Sequence, residues 1–166
     1  ATIFVESTFE GPALLTVERG TVRRELVVEL TTPITEIELP IIETDAPNIF
    51  VNINAYQPNE PYDLENKDAY SVREASFYRG MVELAVSAEA ERLNVEIIPD
   101  QDTYGPGDDA NFTVSVTNAQ GVPVSAELSM AVVDDAIFAL SEEHSGPIFE
   151  AFYKHRHHQV KNYYSM

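Results

Sequence analysis

Residues 154–161 read Lys-His-Arg-His-His-Gln-Val-Lys, and they place three imidazoles and three cationic side chains in eight positions of a chain that holds only ten Lys and Arg. Neighbouring imidazoles (His155, His157, His158) are the ligand types of zinc and nickel sites. No regular spacing or further ligand accompanies them, so the competing reading is an exposed basic tail. A second group, Asp100, Asp102, Asp108 and Asp109, flanks Tyr-Gly-Pro-Gly at 104–107. Calcium takes six to eight oxygen ligands, but the spacing matches no EF-hand loop. A solvated acidic turn shaped by Pro106 and Gly107 explains the same residues.

Asp134 and Asp135 are adjacent. On a strand they face opposite sides, so they cannot share a reacting atom as a glycosidase or aspartic protease pair must. The simpler role is structural, with one accepting backbone N–H bonds at a strand end and the other solvated. Asn111-Phe112-Thr113 fits a glycosylation sequon but sits where a strand is expected. There is no Ser, His and Asp arrangement, no Gly-rich phosphate loop and no zincin motif. Nothing here points to an enzyme, and no cofactor is expected.

Elements must position these groups, and composition bounds which. The 28 acids against 10 bases give a formal charge of −18, which repels phosphate backbones and anionic lipid headgroups. Nucleic acid and membrane surfaces are excluded as partners. A chain that is 44% hydrophobic, with eight Tyr and eight Phe, can still bury a core. The absence of cysteine removes disulfides, thiolate metal sites and thiol nucleophiles. The chain opens at Ala1 inside an expected strand, without a signal peptide, which reads as a fragment of something longer.

The pattern is strand after strand. Residues 2–8, 13–18, 22–30, 34–42, 48–56, 81–87 and 93–98 are rich in Ile, Val, Phe and Thr between Gly and Pro punctuation. Ile37, Leu39 and Ile41 alternate with Glu36 and Glu38, and Phe112, Val114 and Val116 alternate with Thr113, Ser115 and Thr117. Only 63–75 and 147–153 look weakly helical. The expected fold is all-β, with two tandem antiparallel β-sandwiches over residues 1–92 and 93–153 and a tail over 154–166.

Three stretches resemble the alpha-2-macroglobulin family, specifically its bacterial members. GPALLTVERGTVRRELVVEL with DAPNIFVNINAY is similar to the strand pairs of a macroglobulin-like domain. YGPGDDANFTVSVTNAQGVPVSAELSMAVVDDAIFAL, the most specific of the three, follows the family's tyrosine, Pro-Gly-acid turn, strand, Gly-x-Pro-Val hairpin and strand ending in Val-Asp-x-Ala-Ile/Leu. PIFEAFYKHRHHQVKNYYSM is similar to the segment leading toward the bait region. In this resemblance Val133, Asp134, Asp135 and Ala136 lie on a sandwich strand, and the acids are structural.

The resemblance implies a broad-spectrum endopeptidase inhibitor of the cell envelope or periplasm, in which bait cleavage releases a conformational change that traps the enzyme. Its partners would be endopeptidases and the remaining domains of the same chain. The Cys-Gly-Glu-Gln thioester of many members cannot lie in a chain without cysteine. Within the tail, Lys154, Arg156 and Lys161 suit trypsin-like pockets, and Phe152, Tyr153, Tyr163 and Tyr164 suit chymotrypsin-like ones. Alternatively the tail is an ordered segment packed on the second sandwich. Two other readings are a surface adhesin or spacer of tandem immunoglobulin-like sandwiches, and a calcium-stabilised sandwich. Both halves lack strands by the family pattern, so missing strands are expected from elsewhere in a longer chain.

Overall fold

A computed structural model describes residues 1–57, 76–133, 136–137 and 147–163. The chain forms two compact units, Ala1–Val86 with His155–Met166, and Ser87–Lys154. Within the described residues the regular structure is strands in antiparallel sheets, with a short helix, two single helical turns and the helical pair 136–137.

The first unit contains β1 (Thr2–Glu6), β2 (Gly11–Glu18), β3 (Val22–Leu30), β4 (Ile34–Glu38), β5 (Asn48–Gln57) and β6 (Ser76–Ala85). β1 pairs with β4, and the other four form a sheet in the order β3-β2-β5-β6. Period-2 alternation decides what faces inward. Leu15 and Val17 of β2 and Ile49 and Val51 of β5 meet Ile37 of β4 and the following Leu39, with Ile3 and Val5 of β1 packed against them. The two sheets therefore share one apolar core. β4 stops at Glu38, short of the expected Ile42, because Pro40 has no N–H to continue a ladder. β6 starts at Ser76, ahead of the expected Met81, since Phe77 and Tyr78 pair with Tyr56 and Ala55. The expected helix over 63–75 lies outside the described residues.

The second unit contains β7 (Asn94–Pro99), β8 (Phe112–Thr117) and α1 (Ile148–Phe152). β7 and β8 form an antiparallel pair. Asn118 shapes the turn after β8, its side-chain oxygen accepting from the N–H groups of Gln120 and Val122, while Gly121 takes a φ of +77°. Among the described residues, no strand is seen on the stretch expected to run from here to Ala136. Beyond a single bridge from Thr117 to Pro123, residues 124–133 join no ladder, and Ala136 is helical. Pro123 offers no N–H, and among the described residues no apolar layer covers Leu128, Met130 and Val132, which stay 51–70% exposed. Asp134 and Asp135 lie outside the described residues.

Candidate functional site

The core-facing residues of β2 and β5 are apolar, and their alternates should face water. They are buried instead. Thr16, Glu18, Asn48, Phe50 and Asn52 are at most 7% exposed. Register aligns them: Glu18 of β2 lies opposite Phe50 of β5, and Phe50 lies opposite Glu83 of β6. A row Glu18–Phe50–Glu83 thus crosses three strands on one face. A β-bulge between Val17 and Glu18 shifts the pairing with β3 at the end of that row.

The cover is the tail, which lies over this row as a strap. His158 Nε2 meets Glu18 Oε2 at 2.6 Å, and His155 Nε2 meets Glu83 Oε1 at 2.6 Å. The His158 ring also stands edge-on to Phe50, with centroids 5.0 Å apart. The spacing has a physical origin. Two strand separations put Glu18 and Glu83 about 9.5 Å apart across the sheet. Three residues of extended chain, His155 to His158, cover about 9–10 Å.

Two further contacts hold the strap by its backbone. The Asn48 carboxamide reads both sides of Arg156: Arg156 N–H donates to Asn48 Oδ1 at 2.9 Å, and Asn48 Nδ2 donates to the Arg156 carbonyl at 2.8 Å. Gln159 N–H then donates to the carbonyl of Arg19 at 2.9 Å. Arg19 is itself tied down, its guanidinium donating to the carbonyls of Thr44 and Ala46.

Electrostatics favour an ionised Glu18. Burial pushes its carboxyl up, but hydrogen bonds from Thr16, His158 and Asn52, together with the positive field of His158, reverse this and hold it below the usual carboxylate range. The side chain is 1% exposed, and its imidazole partner is 19% exposed. A buried carboxylate without those donors would be costly.

The side chains singled out in the tail have mixed fates. Lys154, Arg156 and Lys161 are exposed, and Tyr163 is 88% exposed, whereas Tyr164 lies outside the described residues. From His155 on, the described tail packs against the first unit, through Asn48, Glu18, Glu83 and Arg19, and not on a second sandwich, whereas Phe149–Lys154 belong to the second unit. The imidazoles of His155 and His158 are engaged by carboxylates. Among the described residues no group of three or more His, Asp and Glu converges as a metal site. Asp100 accepts from the Tyr104 hydroxyl and from the backbone and side chain of Asn111, and Asp108 accepts from Gly105 N–H. These two carboxylates close their own loop.

Sequence reading missed the docking row. A signal was present: Asn48, Asn52 and Asn54 recur on one face of a strand that also holds Ile49, Phe50, Val51 and Ile53. Asn is depleted in strands, so its repetition there marks a face that needs a polar cover.

The described residues thus form a β scaffold that holds a segment of its own chain. Comparison then gives its family: the profile of the alpha-2-macroglobulin bait region domain matches residues 1–140, and the chain belongs to that family. It is accordingly a non-catalytic domain and not an enzyme. The matched region contains Glu18, Asn48 and Glu83 and ends before the strap. A curated relative, named Circularly permutated Ras protein 2, from Dictyostelium discoideum, is 30% identical over 78 residues, 46% of this chain. The chain spans 2% of that relative's length.

Proposed function

We propose that this chain is part of an alpha-2-macroglobulin-like, broad-spectrum endopeptidase inhibitor of the bacterial type, in which the strap is the cleavable element and the first unit is the wall that holds it. The observation that carries this reading is the exposure of Lys154, Arg156, Lys161 and Tyr163 on a segment whose described residues form no helix or strand. A peptidase recognises extended backbone with accessible side chains. Cleavage would sever the strap and remove a constraint on the surrounding domains, shifting them to a state little populated before the cut.

The finer architecture belongs to the same proposal. Residues 1–92 and 93–153 are two macroglobulin-like sandwiches, and 154–166 leads into the bait. The second is completed by strands from the remaining domains of the inhibitor, which would cover the exposed Val95, Ile97, Leu128 and Met130. The partners are target endopeptidases and those domains. The family setting is the periplasm or cell envelope, and no cofactor is needed.

Limited proteolysis tests this. Trypsin and chymotrypsin, applied separately and followed by intact mass, should make their first cuts within 154–164. A tail that resists both enzymes while bonds elsewhere are cut would reject the strap as cleavable element. Resistance throughout the chain would favour a spacer or adhesin.

A further inference from the structure

The strap offers trypsin-like enzymes several basic residues, but the fold does not hold them alike. Resting on the reading of the strap as a cleavable element, we infer that Asn48 is a specificity-determining residue that shields the Arg156–His157 bond and leaves basic-specific cleavage to the bonds after Lys154 and Lys161. To be hydrolysed, a peptide bond must place its carbonyl among the enzyme's oxyanion donors while water adds across the amide to leave a carboxylate and an amine. The Arg156 carbonyl is already bound to Asn48 Nδ2, and the same residue's N–H is bound to Asn48 Oδ1. Asn48 is itself 2% exposed, so solvent does not readily replace either bond.

The residues an enzyme must draw out around Arg156 carry the other anchors too. His155 and His158, which flank the bond on either side, are held by Glu83 and Glu18. Around Lys161 the contrast is sharp. Among the described residues neither Lys161 nor Asn162 makes a backbone hydrogen bond, and the nearest backbone anchor is Gln159. Opening Arg156 therefore breaks both Asn48 bonds and disturbs two imidazole–carboxylate contacts, and two ordinary hydrogen bonds alone shift an opening equilibrium by about tenfold or more.

The test is a time course of trypsin on the full chain, with products assigned by mass, beside a free synthetic peptide of residues 152–163 as the measure of intrinsic preference. The ratio of Lys161 to Arg156 cleavage should be at least about ten times larger in the protein than in the peptide. Asn48→Ala should raise Arg156 cleavage about tenfold, with circular dichroism confirming the sheet. Lys161→Gln alters an exposed side chain, where substitutions usually stay within about 0.5 kcal/mol; its Arg156 bond should remain slow. Equal ratios in protein and peptide, or an Arg156 bond that takes over at the full Lys161 rate in the Lys161→Gln chain, would overturn the shielding while leaving the strap a substrate. No cut anywhere in 154–163 would overturn both readings. If Asn48→Ala does not fold, the Lys161→Gln chain and the peptide ratio still decide.

Discussion

Replacing His158 with Ala tests whether the strap is held by its side chains. The change removes the Nε2 donor from Glu18, a carboxylate 1% exposed, and the ring that stands against Phe50. A hydrogen bond to a charged group contributes about 1.5–3 kcal/mol. Because His158 is itself 19% exposed, water can enter where it stood, which places the loss toward the lower end, at about 2 kcal/mol. That loss falls on strap docking and not on the whole unit, since the strap can lift while the sheets stay closed. The right assay is therefore local. The N–H groups of Arg156 and Gln159 are bonded to Asn48 and Arg19 only while the strap is down, so their hydrogen exchange reports its opening. At 1.4 kcal/mol per decade, both should exchange about 30 times faster in His158→Ala. Amides in the β5 ladder, such as those of Val51 and Ile53, should keep their rates. A change of less than about threefold at both strap amides would refute the docking argument, as would an equal acceleration in β5.

Three further outcomes rest on the same geometry. Glu18 ionises below its ordinary value of 4.5, so its contribution is present in full above the unfolded value and is lost as pH falls through the lower folded one. Strap amide protection should therefore decline on acidification, and Glu18→Gln should flatten that decline, as read by exchange across a pH series. Calcium added after EDTA should leave the melting temperature unchanged, because Asp100 and Asp108 accept hydrogen bonds from within their own loop. Leu15→Ala, at a fully buried core position, should cost about 2–5 kcal/mol in urea unfolding followed by tyrosine fluorescence, whereas Leu128→Ala, at a half-exposed one, should stay within about 0.5 kcal/mol.

The strands of the first unit were legible because alternation is a local signal: Leu15 and Val17, or Ile49 and Val51, face the core whatever strand lies beside them. Boundaries were less legible where pairing decides them. Phe77 and Tyr78 extend β6 because Tyr56 and Ala55 lie opposite, and that register depends on residues distant in sequence. The strand that the family resemblance implies toward Ala136 was misread over 124–133, where Leu128, Met130 and Val132 stay exposed. A period-2 pattern states which face would be buried but supplies neither the neighbouring edge nor the covering layer. The exposed basic side chains of the tail were legible by type, but the clamp on Arg156 was not, since nothing near Asn48 in sequence names a residue more than a hundred positions away.

The strap joins two periodicities that are independent in sequence. Across the sheet, the step from Glu18 to Glu83 is fixed by hydrogen-bonded strand spacing; along the tail, the step from His155 to His158 is fixed by the reach of an extended chain. The two lengths agree to within about 1 Å, so both imidazoles can meet carboxylates at once while Arg156, between them, presents its backbone to Asn48. A basic tail on an acidic chain would be attracted by charge alone, but charge alone does not bury an Asn carboxamide against one residue's N–H and C=O. The register supplies that selectivity. It turns a general attraction into a defined seating in which the N–H and the C=O of Arg156, which belong to successive peptide bonds, are both held by one side chain.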